Sequence, residues 1–500
     1  MNRESKARLN IYISLLGQVV TLVCGLIVPR ILLKAFGSEA YGATASITQF
    51  LSYITLLEGG IGGVARAALY KPLAEKDYDT ISKVIFEIKK FFRAIGIVFF
   101  VYVIILALSF HSIAKVQCFN SITTFILVII ISLSTFAQYF IGISYSVLIQ
   151  ADQKSYITQM IFSSATIANT VLIVIFTKVG CGLVLVKLVS SIVFAGRPFL
   201  TWIYVKKRYK LINITQSDDK YLTQKWTGLG QHLAYFVHNN TDIIVLTLLD
   251  NLKSVAIYSV YNMVIANIQN VVASFSTGME AFFGDMIAKD EWKMFNEKFS
   301  VYETLIAIIS CIAFGVTFVL ILPFVSLYTK SINDANYIQP VFAFLLIGAI
   351  LIYCWMLPYN KTVLAAGHFR QTKWGPYGEA LINIVISVIL VWRLGLVGVA
   401  IGTFIATVYC FVFYAVYLTK NLCKRSIVLL EKRVIINIIN LAIIVGPSLV
   451  IIQKISIINF FIWILCGLLV TAYAVVITVM INIVVYKKET KMAGKLLLKK

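Results

Sequence analysis

Fourteen apolar runs divide this chain of 500 residues, and most are long enough to cross a bilayer. A helix needs about 20 apolar residues to span the hydrocarbon core. The runs are continuous rather than alternating, which excludes membrane-spanning strands. They predict an all-α integral membrane protein. The predicted spans lie near residues 11–33, 40–63, 92–110, 122–147, 157–177, 181–203, 227–249, 254–277, 302–328, 337–358, 379–392, 395–418, 434–452 and 456–485.

The composition is typical of this class. Charged residues make up 13% of the chain and hydrophobic residues 60%, whereas a soluble protein carries about 25% charged residues. The net charge of +22 would suit nucleic acid, but basic residues are typical of the cytoplasmic loops of membrane proteins. We expect no nucleic-acid partner. The eight cysteines include no CxxC pair and predict neither a disulfide framework nor a metal site.

The basic residues also predict the orientation of the chain. An even number of spans puts both termini on one side, which we take as cytoplasmic. Of the 44 lysines and arginines, three then fall within spans and seven on outer loops, one to each loop, while all others are cytoplasmic. This bias supports cytoplasmic N- and C-termini. The seven outer residues are Lys34, Lys115, Lys178, Lys253, Lys330, Arg393 and Lys454.

The first six spans recur in the next six. Five short segments repeat in order at offsets of 213 to 217 residues, among them LLGQ at 15–18 with GLGQ at 228–231. Six intervening spans make this a parallel repeat, related by an axis along the membrane normal. The predicted organisation is an N-lobe of spans 1–6 (1–203), a cytoplasmic linker (204–226), a C-lobe of spans 7–12 (227–420), and spans 13 and 14 with a basic tail (421–500).

Polar residues follow one face of spans 1, 2, 7 and 8, at spacings of three, four and seven. Such faces either bind helices together or line an aqueous cavity. Because they occur in pairs related by the repeat, we favour the cavity. Its tyrosines could stack on a sugar ring while the hydroxyl forms hydrogen bonds. The polar cavity candidates are Gln18, Tyr235, Tyr258, Asn262 and Gln269.

Basic residues in or near the spans could provide a path for an anionic substrate. For each of them, snorkelling to the interface or ion pairing is the alternative. Pro29 can kink span 1 and turn the arginine that follows it toward a cavity, and interface anchoring is again the alternative. The candidates are Arg30, Arg66, Lys187, Arg197 and Lys361.

Acidic residues are candidates for ion coupling. Glu58 and Asp242 are the acids expected deep in the membrane. His238 lies four residues before Asp242 and therefore on the same helix face. The histidine could carry a coupling proton, or the two side chains could form a structural hydrogen bond. Glu280, Glu303 and Glu379 are expected at cytoplasmic ends of spans, where water can solvate them.

Several function classes lack support in the sequence. There is no GxxxxGK[ST] phosphate-binding loop and no His/Cys metal spacing, so we expect no cofactor and no metal. A membrane polymerase or glycosyltransferase usually needs a sizeable loop outside the membrane for its active site, and no such loop is present. The chain is therefore not expected to be an enzyme.

Four segments carry a family resemblance: VPRILLKAFGSEAYG at 28–42, LLEGGIGGVARAALYKPLAEKD at 56–77, RPFLTWIYVKKRYK at 197–210 and NNTDIIVLTLLDNLKSVAIYSVYNMV at 239–264. They resemble the bacterial polysaccharide flippases of the multidrug/oligosaccharidyl-lipid/polysaccharide exporter superfamily. The resemblance covers spans 1–12 in pattern, and its motifs are diffuse.

The resemblance implies fourteen spans and a function. The expected substrate is a polyprenyl-pyrophosphate-linked oligosaccharide, moved from the inner to the outer leaflet of the bacterial cell membrane by alternating access for capsule, exopolysaccharide or O-antigen assembly. A polysaccharide polymerase and a chain-length regulator are the implied protein partners, and membrane lipids surround the chain. A peptidoglycan lipid-precursor flippase and a drug/cation antiporter of the same superfamily are the alternatives.

Overall fold

Helices account for all regular structure in the part of the chain that the computed structural model describes, which is residues 3–58, 61–212, 214, 221 and 229–498. The all-α class is confirmed. The helices are α1 (Arg3–Ser52), α2 (Ile61–Glu75), α3 (Tyr78–Ile113), α4 (Ser121–Ala137), α5 (Ile143–Ala151), α6 (Ser155–Lys178), α7 (Leu183–Arg208), α8 (Leu229–Leu249), α9 (Leu252–Ser274), α10 (Met279–Ala288), α11 (Trp292–Tyr328), α12 (Pro340–Ala365), α13 (Trp374–Leu394), α14 (Leu396–Asn421), α15 (Ile427–Gln453), α16 (Phe460–Val485) and α17 (Lys487–Leu498).

The number of spans agrees with the sequence. Twelve helical stretches of the described chain are long and apolar enough to cross a membrane. The first of these contains two predicted spans. A straight helix of 50 residues would extend about 75 Å, which is more than twice the thickness of the hydrocarbon core, about 30 Å. α8, which includes the apolar stretch Asn240–Leu249, supplies one more. The multi-pass membrane architecture with about fourteen spans is therefore confirmed.

Gly37 separates the two spans within α1. Its backbone angles, φ 81° and ψ 172°, are not helical, and glycine adopts a positive φ without the clash that a Cβ would cause. Residues 3–36 thus form span 1, and span 2 begins at 38. Pro29 lies inside α1, but the break in the helix is at Gly37.

Two short irregular turns extend neighbouring spans. A 3-10 turn, Tyr53–Glu58, continues span 2 beyond α1. A π-helical turn, Gln138–Gly142, joins α4 to α5, so span 4 runs over Ser121–Ala151. Such π-helical turns are frequent at functional sites.

The chain forms two compact units, Met1–Ala256 and Ile257–Lys500. One end of the first unit is held by a half-buried cluster around Asp152, in the turn between α5 and α6. The Asp152 carboxylate contacts Lys6 Nζ at 3.1 Å and Lys154 Nζ at 2.6 Å, and it accepts a hydrogen bond of 2.6 Å from the Tyr209 hydroxyl. Burial alone would raise the pKa of Asp152, but these hydrogen bonds lower it below its usual range.

The opposite end of the first unit is held by Glu39. Its Oε1 accepts hydrogen bonds from the backbone N–H groups of Gln117 at 2.6 Å and Cys118 at 3.0 Å. The start of span 2 therefore meets the turn between α3 and α4. One end of the unit thus contains Lys6, Asp152 and Tyr209, and the other end contains Glu39. Consecutive spans that run in opposite directions require this arrangement.

In the second unit, α13 and α14 approach closely through glycines. A Cβ on Gly398 would lie 2.6 Å from the backbone carbonyl of Leu390, a distance at which something must move. Beside this contact the Asn383 amide donates to Thr403 Oγ1 at 3.1 Å. Small residues spaced by four are typical of helix pairs in membranes.

We expect Gly398→Ala to destabilise the second unit. The added methyl group meets backbone rather than a movable side chain, and overpacking of this kind costs about 1–3 kcal/mol. Thermal unfolding of the purified protein in detergent measures the effect. Gly446→Ala in α15 is the matched control, since nothing lies within 4 Å of its added Cβ. Equal unfolding temperatures for the two variants would contradict the close approach.

Candidate functional site

Span 2 and α8 meet in the first unit along a seam of polar side chains. Ser46 Oγ lies 2.7 Å from Thr247 Oγ1, and the Gln49 amide donates to Asn240 Oδ1. One turn further along, the ring of Tyr53 packs edge-on against Phe236, with centroids 4.9 Å apart. Ser46, Gln49 and Tyr53 share one helix face, so this face connects two helices. We call it the span 2–α8 seam.

The polar face that the sequence predicts on span 2 includes Thr48, Ser52 and Thr55, and it differs from the face that forms the seam. The hydroxyls of Thr48, Ser52 and Thr55 donate to carbonyls of their own helix segment at 2.8, 2.6 and 2.7 Å. These hydroxyl groups thus form hydrogen bonds without a neighbouring helix. Such internal bonds are needed in hydrocarbon or in a narrow cavity, where water is scarce. The seam residues Ser46 and Gln49 were missed because one sequence does not say which polar face meets another helix.

Two of the predicted ion-coupling residues lie close to tyrosines. Glu58 Oε1 accepts a hydrogen bond of 2.6 Å from Tyr139, a residue of the π-helical turn. Asp242, 4% exposed, lies beside Tyr53 and Thr241. A carboxylate can remain inside a membrane only with such partners. The side chain of His238 lies outside the described residues, so the structure does not test its pairing with Asp242.

Three predicted basic residues of the first unit are half-buried. Arg66 donates to Gln150 Oε1 at 3.2 Å. Arg197 donates to the Phe194 carbonyl at 3.2 Å and lies 4.7 Å from the centroid of that ring. Among the described residues, none of Arg66, Lys187 and Arg197 forms an ion pair with a carboxylate. The spanning part of this unit therefore holds positive charge that no described acid in ion-pair range neutralises.

The remaining candidates are spread over both units. Arg30 and Gln18 are exposed on α1. Tyr258 is 6% exposed, with its ring 6.0 Å from that of Phe342. Lys361 lies 3.8 Å from Glu280 in a largely exposed pair. Asn262 and Gln269 are half-buried on α9, and the side chain of Tyr235 lies outside the described residues.

A buried charge cluster in the second unit was not predicted. Glu303 is 5% exposed, so the expectation that water solvates it was wrong. Arg425, in the turn between α14 and α15, binds both of its oxygens. Arg433 of α15 approaches Oε2 at 3.5 Å and Thr304 Oγ1 at 3.1 Å. Glu379 is also 5% exposed, which corrects the second expectation of a solvated acid.

A cavity of about 30 Å³ adjoins this cluster and is lined by Glu303, Arg433, Trp355 and Tyr486 among others. Within the described chain, Trp355 Nε1 and the Tyr486 hydroxyl are buried without a hydrogen-bond partner. A polar cavity of this size has room for ordered water. The cavity lies among α11, α12, α15 and α16, and the charge cluster joins α11 to α15 and to the turn before it.

We expect Glu303→Gln to destabilise the second unit strongly. Two largely buried guanidinium groups would lose their carboxylate, and removing one partner of a buried pair costs about 3–5 kcal/mol. Glu297→Gln is the matched control on the same helix, because its pair with Lys488 is exposed and such pairs contribute about 0–1 kcal/mol. Unfolding in detergent is the measurement. Equal losses for both variants would show that the cluster does not hold the unit together.

Sequence comparisons found no match for the chain. No family model matches it, and no curated protein matches it.

Solved structures do match. A structure described as lipid II flippase MurJ in an inward closed conformation aligns with a TM-score of 0.72 at 16% identity, covering 95% of this chain and 99% of that one. The MATE multidrug transporter DinF-BH aligns with a TM-score of 0.60 at 15% identity, covering 84% and 96%. An inward-facing MATE transporter of the MOP superfamily gives 0.60 at 13% identity, covering 80% and 95%. The chain therefore has the fold shared by these membrane transporters.

Proposed function

We propose that this protein is a flippase for polyprenyl-pyrophosphate-linked oligosaccharides. It moves repeat units from the cytoplasmic to the outer leaflet of a bacterial inner membrane for capsule, exopolysaccharide or O-antigen assembly. Both termini are cytoplasmic, and a polysaccharide polymerase and a chain-length regulator are its protein partners. The fold shared with a lipid II flippase supports transport of a lipid-linked substrate.

The observation that carries the proposal is the unneutralised positive charge of the first unit. Burying a cation in hydrocarbon is costly unless it is paired, hydrated or used by a substrate. Lys187 and Arg197 have no carboxylate in ion-pair range within the described chain, and a pyrophosphate would supply the missing negative charge. The sugars are polar and suit the hydroxyl and amide side chains of spans 1, 2 and 8, the last of which is α9, while the lipid tail stays in the bilayer.

The substrate is moved by alternating access of the two predicted lobes, 1–203 and 227–420. In that mechanism α8 belongs to the second lobe and span 2 to the first. The span 2–α8 seam then has to open in each cycle. Hydrogen bonds between neutral side chains suit this role, since each contributes only about 0.5–1.5 kcal/mol.

A disulfide across the seam should block transport. The hydroxyl oxygens of Ser46 and Thr247 are in contact at 2.7 Å, so Ser46→Cys with Thr247→Cys places two thiols near enough for an oxidant to join them at the S–S length of about 2.05 Å. We expect transport to stop on oxidation and to return with reductant. Oxidised wild type and oxidised single variants control for the native cysteines. Full transport by the cross-linked protein would contradict a seam that opens.

Loss of the gene should trap lipid-linked repeat units on the cytoplasmic leaflet and abolish surface polysaccharide. Complementation with Lys187→Gln/Arg197→Gln should restore at most about a tenth of wild-type surface polysaccharide, which corresponds to about 1.4 kcal/mol of lost substrate interaction. Lys178→Gln, at the outer end of α6, is the control and should complement fully. Membrane levels are compared by immunoblot. A normal amount of surface polysaccharide in the deletion strain would contradict the proposal.

A peptidoglycan lipid-precursor flippase is the second candidate, favoured by the alignment with a lipid II flippase over 95% of this chain. Such a protein is expected to be essential, so a viable clean deletion separates the two. A drug/cation antiporter of the MATE kind is a third possibility at the level of fold. It requires a predominantly acidic cavity, and Lys187 and Arg197, which have no described carboxylate in ion-pair range, argue against it.

A further inference from the structure

A pocket of about 730 Å³ opens at the end of the first unit where α3, α5 and α7 meet. The Asp152 cluster lies at the same end, because Tyr209 belongs to both. The pocket is lined by five basic residues, Lys89, Lys206, Lys207, Arg208 and Lys210, and no described carboxylate lines it. It is separate from the membrane-embedded residues on which the proposed function rests.

No acid among the described residues neutralises the basic residues of this pocket. The Asp152 carboxylate already binds Lys6, Lys154 and Tyr209. Glu87 on α3 accepts a hydrogen bond of 3.1 Å from the backbone N–H of Tyr221. None of the five basic residues forms an ion pair with a described carboxylate. The pocket therefore concentrates positive charge at a concave surface, where it attracts anions.

Polar and aromatic groups give the pocket a fixed shape. Lys89 Nζ donates to the Tyr145 hydroxyl at 2.7 Å, and Tyr145 is 8% exposed. Since that oxygen accepts the hydrogen bond from Lys89, the Tyr145 O–H remains available to donate into the pocket. Lys206 lies over the ring of Trp202 at 5.3 Å, and the backbone N–H of Ile212 donates to Ser82 Oγ at 2.9 Å, which holds the segment after α7 against α3.

We propose that this pocket binds a phosphoryl group, as part of a diphosphate or of a phospholipid headgroup. Several ammonium groups and a guanidinium group around one concave site match the clustered oxygens of phosphates. The position at a helix end lets the ligand come from the water or from the lipid surface. The inference goes beyond the proposed function and stands whether or not the protein is a flippase.

Binding to the purified full-length protein in nanodiscs tests the pocket in three arms. Inorganic pyrophosphate is titrated calorimetrically against protein in phosphatidylcholine discs. Phosphatidylglycerol and polyprenyl diphosphate are each added to the bilayer, and the lipid retained by the protein is counted by mass spectrometry. Binding in the first arm would show that the pocket takes a ligand from solution. Binding only in the bilayer arms would show that it takes a lipid headgroup. Both support the proposal, whereas no binding in any arm overturns it.

Charge substitutions locate the binding. Lys206→Gln/Lys210→Gln removes two exposed pocket lysines and should weaken binding by about tenfold or more, with a loss that shrinks as salt screens the interaction. Tyr145→Phe removes one donor and keeps the ring, so it should weaken binding less. Lys71→Gln/Lys76→Gln is the matched control, because both side chains are exposed in and just after α2 and outside the pocket. Equal weakening in the control overturns the proposal, and no transport assay enters the result.

Discussion

Hydrocarbon offers no hydrogen-bonding partner, so every polar group of a spanning helix must be satisfied by the protein or by water that the protein admits. This requirement explains why the described chain is helical throughout its spans. It also explains the behaviour of the hydroxyl groups in span 2. Those of Thr48 and Thr55 donate to their own helix segment, whereas Ser46 pairs across the seam with Thr247.

The same requirement divides the buried charges into two kinds. Glu303 is surrounded by Arg425 and Arg433, and this cluster is closed and structural. Lys187 and Arg197 have no such carboxylate within the described residues. The unfavourable free energy of burying these two cations has to be offset by hydration or by an anionic substrate. In one unit the two arginines share a carboxylate, whereas in the other Lys187 and Arg197 have none among the described residues, and this contrast is the reason for proposing an anionic substrate.

Hydropathy and charge bias predict the coarse fold well because they depend on local sequence alone. The span boundary between 33 and 40 was predicted to within a few residues, and Gly37 lies in that interval. Side-chain partners are different, because they depend on how each helix is rotated and on residues far away in the chain. Glu303 looks like a solvated acid until Arg425, more than a hundred residues later, closes over it. No local pattern marks Gln49 and Asn240 as partners.

The central claim is that the unneutralised cations of the first unit serve a lipid-linked pyrophosphate. The most direct test reconstitutes the purified protein in vesicles that carry a fluorescent polyprenyl-pyrophosphate oligosaccharide, and it follows the fraction accessible to a reducing agent added outside. We predict rapid exchange of the oligosaccharide between leaflets with wild type and exchange at least about tenfold slower with Lys187→Gln/Arg197→Gln. Equal exchange by the two proteins, or efflux of organic cations in place of lipid exchange, would contradict the claim.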